Sequence, residues 1–256
     1  YDMTTSDYRG IMFNFGNDYW TENKDIIPAV CYGIDRQAII DAVLLGQGMP
    51  AYGPLQRNIY NYEDVEHYDY NPEKAKEILE AAGCEMGDDG FYYRDGEKVG
   101  FVISVSAGDQ VRIDMAQIAA QELKEIGMDV QINATADHNS IWKDASAWDV
   151  YVGANVNCGL GDPTNFFSTH CLDASTKNRG QYHSDKLEEL AVQLNSTFDT
   201  TERNQIAIEM QQQLLDDNAF VFCSFLKMSM ISQANVTGLT AHACDYYELT
   251  ADLDIN

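Results

Sequence analysis

The residues best suited to holding a ligand fall between 149 and 167, in the stretch DVYVGANVNCGLGDPTNFF. Its first half alternates, with Val150, Val152, Ala154 and Val156 on one face of an extended strand and Tyr151, Gly153, Asn155 and Asn157 on the other. The polar pair Asn155 and Asn157 therefore emerges at the C-terminal end of the strand, next to a glycine-rich turn that carries Cys158 and Gly159 and leads to Asp162 and Pro163. Ligands of α/β sheets bind beyond the carboxyl ends of the strands. Asparagine offers donors and acceptors without charge, and glycine lets a ligand approach the backbone closely. The same residue types are the turn formers of an ordinary strand exit, and local sequence does not separate the two uses.

Other chemistry is less well supported. The histidines at 67, 138, 170, 183 and 242 form no HExxH and no pair at helical spacing, and the chain has no GxSxG elbow and no P-loop. A triad is defined by geometry, so a hydrolase or metal-dependent enzyme using the 155–170 loop and a remote histidine stays open as an alternative. His170 and Cys171 follow the glycine-rich turn closely enough to approach a metal. The six cysteines contain no CxxC and none of the spacing of a structural zinc site. Cys31 and Cys223 sit in apolar runs, where a buried free thiol is expected. The aspartates of 87–96 read as a hairpin with glycine-containing turns, because their spacing fails that of an EF-hand loop.

Composition narrows the classes further. Sixteen Lys plus Arg stand against 41 Asp plus Glu, a formal charge of −25. Nucleic-acid backbones and anionic lipid surfaces would be repelled, so no nucleic-acid partner is expected. No apolar run approaches the roughly 20 residues that span a bilayer. The chain opens at Tyr1 without a Met start, a basic n-region or an apolar h-region, so a targeting segment is expected upstream, in a longer polypeptide.

Helical periodicity positions the candidate strand. Apolar stripes predict helices over 36–45, 73–82, 112–126, 185–195 and 202–215; the second has Asn71 as cap, Pro72 in the first turn and Gly83 beyond its end. Strand character appears at 99–105, 129–134, 149–156 and 220–230. Helices and strands alternate, so the class is α/β or α+β.

Four blocks in order resemble the C-terminal half of the bacterial extracellular solute-binding proteins of family 5, the dipeptide, oligopeptide and nickel binders of ABC importers. They are AVCYGIDRQAIIDAVLLGQGMPAYGP at 29–54, YDYNPEKAKEILEAAG at 68–83, AQIAAQELKEIGMDVQI at 116–132 and GDPTNFF at 161–167. NVTGLTAHACDYYEL at 235–249 resembles the family's closing segment. The resemblance implies an α/β, periplasmic-binding-protein-like (type II) fold with a mixed sheet flanked by helices. It implies that residues 1–232 form the second lobe and that 233–256 return to a first lobe encoded upstream. It further implies a monomer without catalytic step or cofactor, in the periplasm or on the cell surface as a lipoprotein. Such a protein captures a small-molecule or peptide solute, or a nickel chelate, and delivers it to an ABC permease. A ligand-sensing ectodomain of a signalling protein would share the fold.

Site residues carry over only in part. Peptide binders place an aspartate where this chain has Gly159, and nickel binders place a tryptophan where it has Asn157 and an aromatic where it has Gly161. Arg112 stands close to the carboxylate-pairing arginine of peptide binders. The resemblance thus marks Asn155, Asn157, Cys158, Gly159, Asp162 and Arg112 as ligand-binding candidates and His170 as a candidate metal ligand. Asn157→Ala is expected to weaken binding with little loss of stability, and Asp162→Ala mainly to destabilise the fold.

Overall fold

Capping chemistry starts most of the helices where the sequence places them. Asn71 accepts the Lys74 backbone N–H at 2.9 Å, Asp109 that of Arg112 at 3.0 Å, and Asp199 those of Thr201 and Glu202 at 2.9 and 3.0 Å. A computed structural model describes residues 1–55, 68–157, 162–244 and 250–255.

The chain opens with strand β1 (Asp2–Phe13), followed by short helices α1 (Asp18–Glu22), α2 (Ile27–Tyr32) and α3 (Arg36–Ala42) and by strand β2 (Gly48–Pro50). Helix α4 (Pro72–Ala81) precedes a small three-stranded sheet of β3 (Glu85–Met86), β4 (Tyr92–Arg94) and β5 (Glu97–Lys98). Strand β6 (Gly100–Ser106), helix α5 (Gln110–Glu125) and strand β7 (Asp129–Thr135) make a parallel βαβ unit. Helix α6 (His138–Ile141) and strand β8 (Val150–Val156) come next, then helices α7 (Thr164–His170), α8 (Asp185–Ser196) and α9 (Thr200–Asp216) and strand β9 (Phe220–Ser229). The last elements, β10 (Val236–Thr237) and β11 (Asp254–Ile255), pair with each other in a separate sheet.

The main sheet runs β2-β9-β1-β8-β6-β7. Strand β6 is parallel to β7 and β8, whereas β1 is antiparallel to both β8 and β9. It is therefore a mixed sheet, and helices cover both faces. One face buries Ile11, Phe13, Ile103, Val150, Val152 and Val221 against α2, α4 and α5. The other buries Tyr8, Phe222 and Phe225 against α7, α8 and α9. Strand period two separates the sets: odd positions of β1 point one way and Tyr8 the other.

Two outcomes differ from the sequence reading. Strand β1, central to the sheet, has no apolar run to mark it: DMTTSDYRGIMF mixes charge, hydroxyls and glycine. Its charges are settled locally, Arg9 pairing with Asp7 and donating to the Tyr8 carbonyl at 3.1 Å. Residues 164–170, read as part of a loop, form helix α7 and supply Phe166 and Phe167 to the core. The five described cysteines, Cys31, Cys84, Cys171, Cys223 and Cys244, are free and buried, with burial pushing the Cys31 thiol up to about 12 and that of Cys223 to about 11. Among the described residues, no helix is long and apolar enough to cross a membrane.

Candidate functional site

A pocket of about 290 Å³ lies against the face of β1 and β8 that carries Tyr8, Gly10, Tyr151, Gly153 and Asn155. Gly10 and Gly153 are register partners at its floor. They are not equivalent. A Cβ on Gly10 would collide with the Tyr8 ring, which folds back over it, whereas one on Gly153 would meet no atom within 4 Å. The absent side chain at 10 admits an aromatic, and the one at 153 leaves open space.

Helices and loops build the walls. Phe166 and His170 project from successive turns of α7, their rings 5.3 Å apart, and Trp142 lies across from them, edge-on to Tyr151 at 4.5 Å. Lys177 and Arg179 come from the loop after α7. Arg112 comes from the first turn of α5, which follows directly on the C-terminal end of β6. Its Nε donates to Asp109 at 2.8 Å, leaving its two terminal nitrogens without a hydrogen bond among the described residues. Burial pulls His170 down to about 4, so it is a neutral imidazole at physiological pH. Tyr8 is 2% exposed, and burial raises its phenol well above the usual value.

The structure separates the sequence-derived candidates. Asn155 and Arg112 line the pocket, as does His170. Asn157 does not, and the expectation that it contacts solute at little structural cost is corrected. It is 2% exposed; its amide donates to the Pro54 carbonyl at 2.7 Å and its backbone N–H to the Ser6 carbonyl at 2.8 Å. Strand β8 ends at Val156, so the alternation that carries Asn155 into the pocket no longer governs residue 157. The Pro54 segment is held from two more sides, by Arg36 Nε donating to the Ala51 carbonyl at 3.1 Å and by Gln211 Oε1 accepting the Leu55 N–H at 3.3 Å.

Asp162 also lies off the pocket lining. It accepts the Thr164 N–H at 2.8 Å and pairs with Arg203 at 2.6 Å, tying the start of α7 to α9. These partners hold its carboxyl below the ordinary aspartate value even though burial opposes them. Cys158 and Gly159 lie outside the described residues. Cys171 is buried in the core beneath α7, 1% exposed, and so does not join His170 at the pocket. Among the described residues, no three His, Cys, Asp or Glu side chains gather as a metal site would require. His183 places Nδ1 2.9 Å from Asp173 and Nε2 3.4 Å from Asp185, so both its nitrogens face carboxylates and neither faces a nucleophile.

Sequence reasoning missed Tyr8, Trp142, Lys177 and Arg179. Two cations within three residues stand out in so acidic a chain, but Lys74 and Lys76 show the same spacing on α4, away from the pocket.

Side chains gathered at strand ends and on one sheet face, around a partly open pocket, make a candidate ligand site. Comparison supplies the family. Residues 1–178 match the model of the bacterial extracellular solute-binding proteins, family 5 Middle, and the chain belongs to that family. It is 25% identical over 244 residues to the oligopeptide-binding protein AppA of Bacillus subtilis, covering 92% of this chain and 44% of that protein. It is 27% identical over 197 residues to the nickel-binding protein NikA of Staphylococcus aureus, covering 77% of this chain and 38% of that one. The chain thus spans less than half the length of these relatives. Among solved structures, NikZ from Campylobacter jejuni in complex with Ni(L-His) superposes with a TM-score of 0.81 at 23% identity, over 93% of this chain and 49% of the other. The fold is that of the type II periplasmic binding proteins.

Proposed function

We propose that this chain is the second lobe of an extracytoplasmic solute-binding protein that captures a small solute and hands it to an ABC permease without chemical change. The observation that carries the reading is the one-sided pocket: a floor of β1 and β8, walls from α7 and its loop, and an open side. Such a half-cleft suits a solute that is enclosed only when a second lobe closes over it.

In this reading residues 1–232 form the lobe and 233–256 return to the first lobe. The separate pairing of β10 with β11 supports the division, as does the narrow tie through Ser6, whose backbone N–H donates to the Ala243 carbonyl at 2.7 Å. The same Ser6 accepts from Asn157, so the return segment and the end of β8 meet at one residue. Solute stabilises the closed arrangement by its higher affinity for it. Arg112 and Asn155 supply polar contacts, while Tyr8, Trp142 and Phe166 enclose the apolar part of the solute.

Native mass spectrometry of the full-length protein purified from its own host tests this. A small solute is expected to remain bound, and neither an ester, a peptide nor a phosphate panel to be turned over. Turnover of any of these, or a full-length protein that retains nothing, would overturn the proposal.

A further inference from the structure

The charge of the pocket runs against the charge of the chain. Asp and Glu outnumber Lys and Arg by 41 to 16, yet none of the described lining residues is acidic, while Arg112, Lys177 and Arg179 all line the pocket. Lys177 and Arg179 are exposed, and neither side chain makes an ion pair or hydrogen bond among the described residues. The other charges nearby are already paired: Arg112 engages Asp109 through Nε at 2.8 Å, Arg203 engages Asp162, and His183 engages Asp173.

A second observation points the same way. The Tyr8 hydroxyl lies over Gly10 in the pocket floor with no hydrogen-bond partner among the described residues. A hydroxyl facing the pocket is a donor that an acceptor on a ligand can engage. The described lining residues therefore present donors and cations, and no carboxylate to receive an ammonium.

We propose that the pocket selects an anionic solute, one whose carboxylate or phosphate group is taken by Lys177 and Arg179 while an apolar or aromatic body rests on Tyr8, Trp142 and Phe166. This rests on the proposed solute-binding function and names the class of solute. Lys177 and Arg179 are the specificity-determining residues: they sit on the rim, where charge steers the encounter and rejects cations.

Isothermal titration of the full-length protein with four probes tests it: N-succinyl-phenylalanine, phenyl phosphate, Ala-Phe and Lys-Phe. The two anions are expected to bind at least about tenfold more tightly than Ala-Phe, with Lys-Phe weakest. Their mutual ranking tells a carboxylate solute from a phosphate one. Lys177→Gln combined with Arg179→Gln is expected to weaken the preferred anion by about tenfold or more at unchanged melting temperature. The charge-reversed pair Lys177→Glu with Arg179→Glu should move the preference towards Lys-Phe. Binding of Ala-Phe or Lys-Phe as tight as that of the anions, or anion affinity surviving the double Gln change, overturns the inference while leaving the solute-binding function in place. Silence of all four probes also overturns it, and the solute retained in native mass spectrometry then judges the function separately.

Discussion

Helices cover both faces of the central sheet, but the two faces are packed to different ends. Against α2, α4 and α5 the layer is mostly aliphatic, and Trp20, fully buried, fills it with its ring 4.8 Å from Phe13 and 5.1 Å from Phe101. Against α7, α8 and α9 the layer is aromatic, built on Tyr8, Phe166, Phe220, Phe222 and Phe225, and it stops short of filling the space above Gly153. Close packing is the default for a protein interior, so a gap bounded by rigid rings is a cavity the fold maintains. The difference sets a filled face of the sheet against one that keeps a cavity, the face on which the proposed solute site lies.

Substitutions should respect that division. Trp20→Ala on the filled face is expected to cost about 3–5 kcal/mol, because it removes a large buried ring and one of the two donors to the Asp149 carbonyl, Trp20 Nε1 at 2.9 Å, leaving the Asn14 N–H at 3.0 Å. A chemical-denaturation midpoint measures it, and a loss comparable to that of an exposed site would break the comparison. Asn157→Ala should cost about 1–3 kcal/mol, since the Pro54 carbonyl loses its buried donor. Asn155→Ala, two residues earlier, should leave stability within about 0.5 kcal/mol and weaken solute binding by the full-length protein. Equal effects of the two asparagines on melting would contradict their placement.

A third contrast is titratable. Glu122 of α5 accepts the Asp35 N–H at 2.9 Å, and its carboxyl is raised to about 7, first by burial and then by the neighbouring charges of Asp35 and Glu125. A raised carboxyl binds its proton more tightly in the native state than in the unfolded one. Stability from this group is therefore greatest below an ordinary Glu pKa of roughly 4.3 and declines as pH rises through about 7. Glu122→Gln keeps an oxygen for Asp35 and removes the titration. Its stability relative to wild type should climb between pH 4.5 and pH 8, by an amount on the order of 1 kcal/mol once solvent screening is allowed for; a denaturation difference that stays flat with pH would refute it. The smallest stability effect is expected for Gly153→Ala, within about 0.5 kcal/mol, because the new methyl group meets nothing. It should nonetheless lower solute affinity in the same titration, and an unchanged affinity would place the ligand elsewhere.

Helix α4 was legible down to its cap, because Asn71, Pro72 and the apolar spacing of Ala75 and Leu79 act within a few residues of one another. The apolar stripe of helix α5 with Gly127 at its end and the alternation of β8 were legible for the same reason, whereas the Asp109 cap was not read. Strand β1 was not: its neighbours β8 and β9 are more than 130 residues away, and pairing with them, not its own pattern, makes it a strand. The resemblance to family 5 was readable from the blocks at 29–54 and 68–83, and the match over residues 1–178 establishes it.

The sequence by itself determined the α/β class, the principal helices and the strand that brings Asn155 to the pocket, since capping and periodicity are interactions of short range along the chain. Only the tertiary structure decided that Asn157 faces inward, that Cys171 is buried away from His170, and that Tyr8, Arg112, Lys177 and Phe220 meet around one cavity. Those four residues come from β1, α5, the loop after α7 and β9. No local pattern joins elements so far apart; their meeting is set by the order of strands in the sheet and by the face each side chain takes once that order is made.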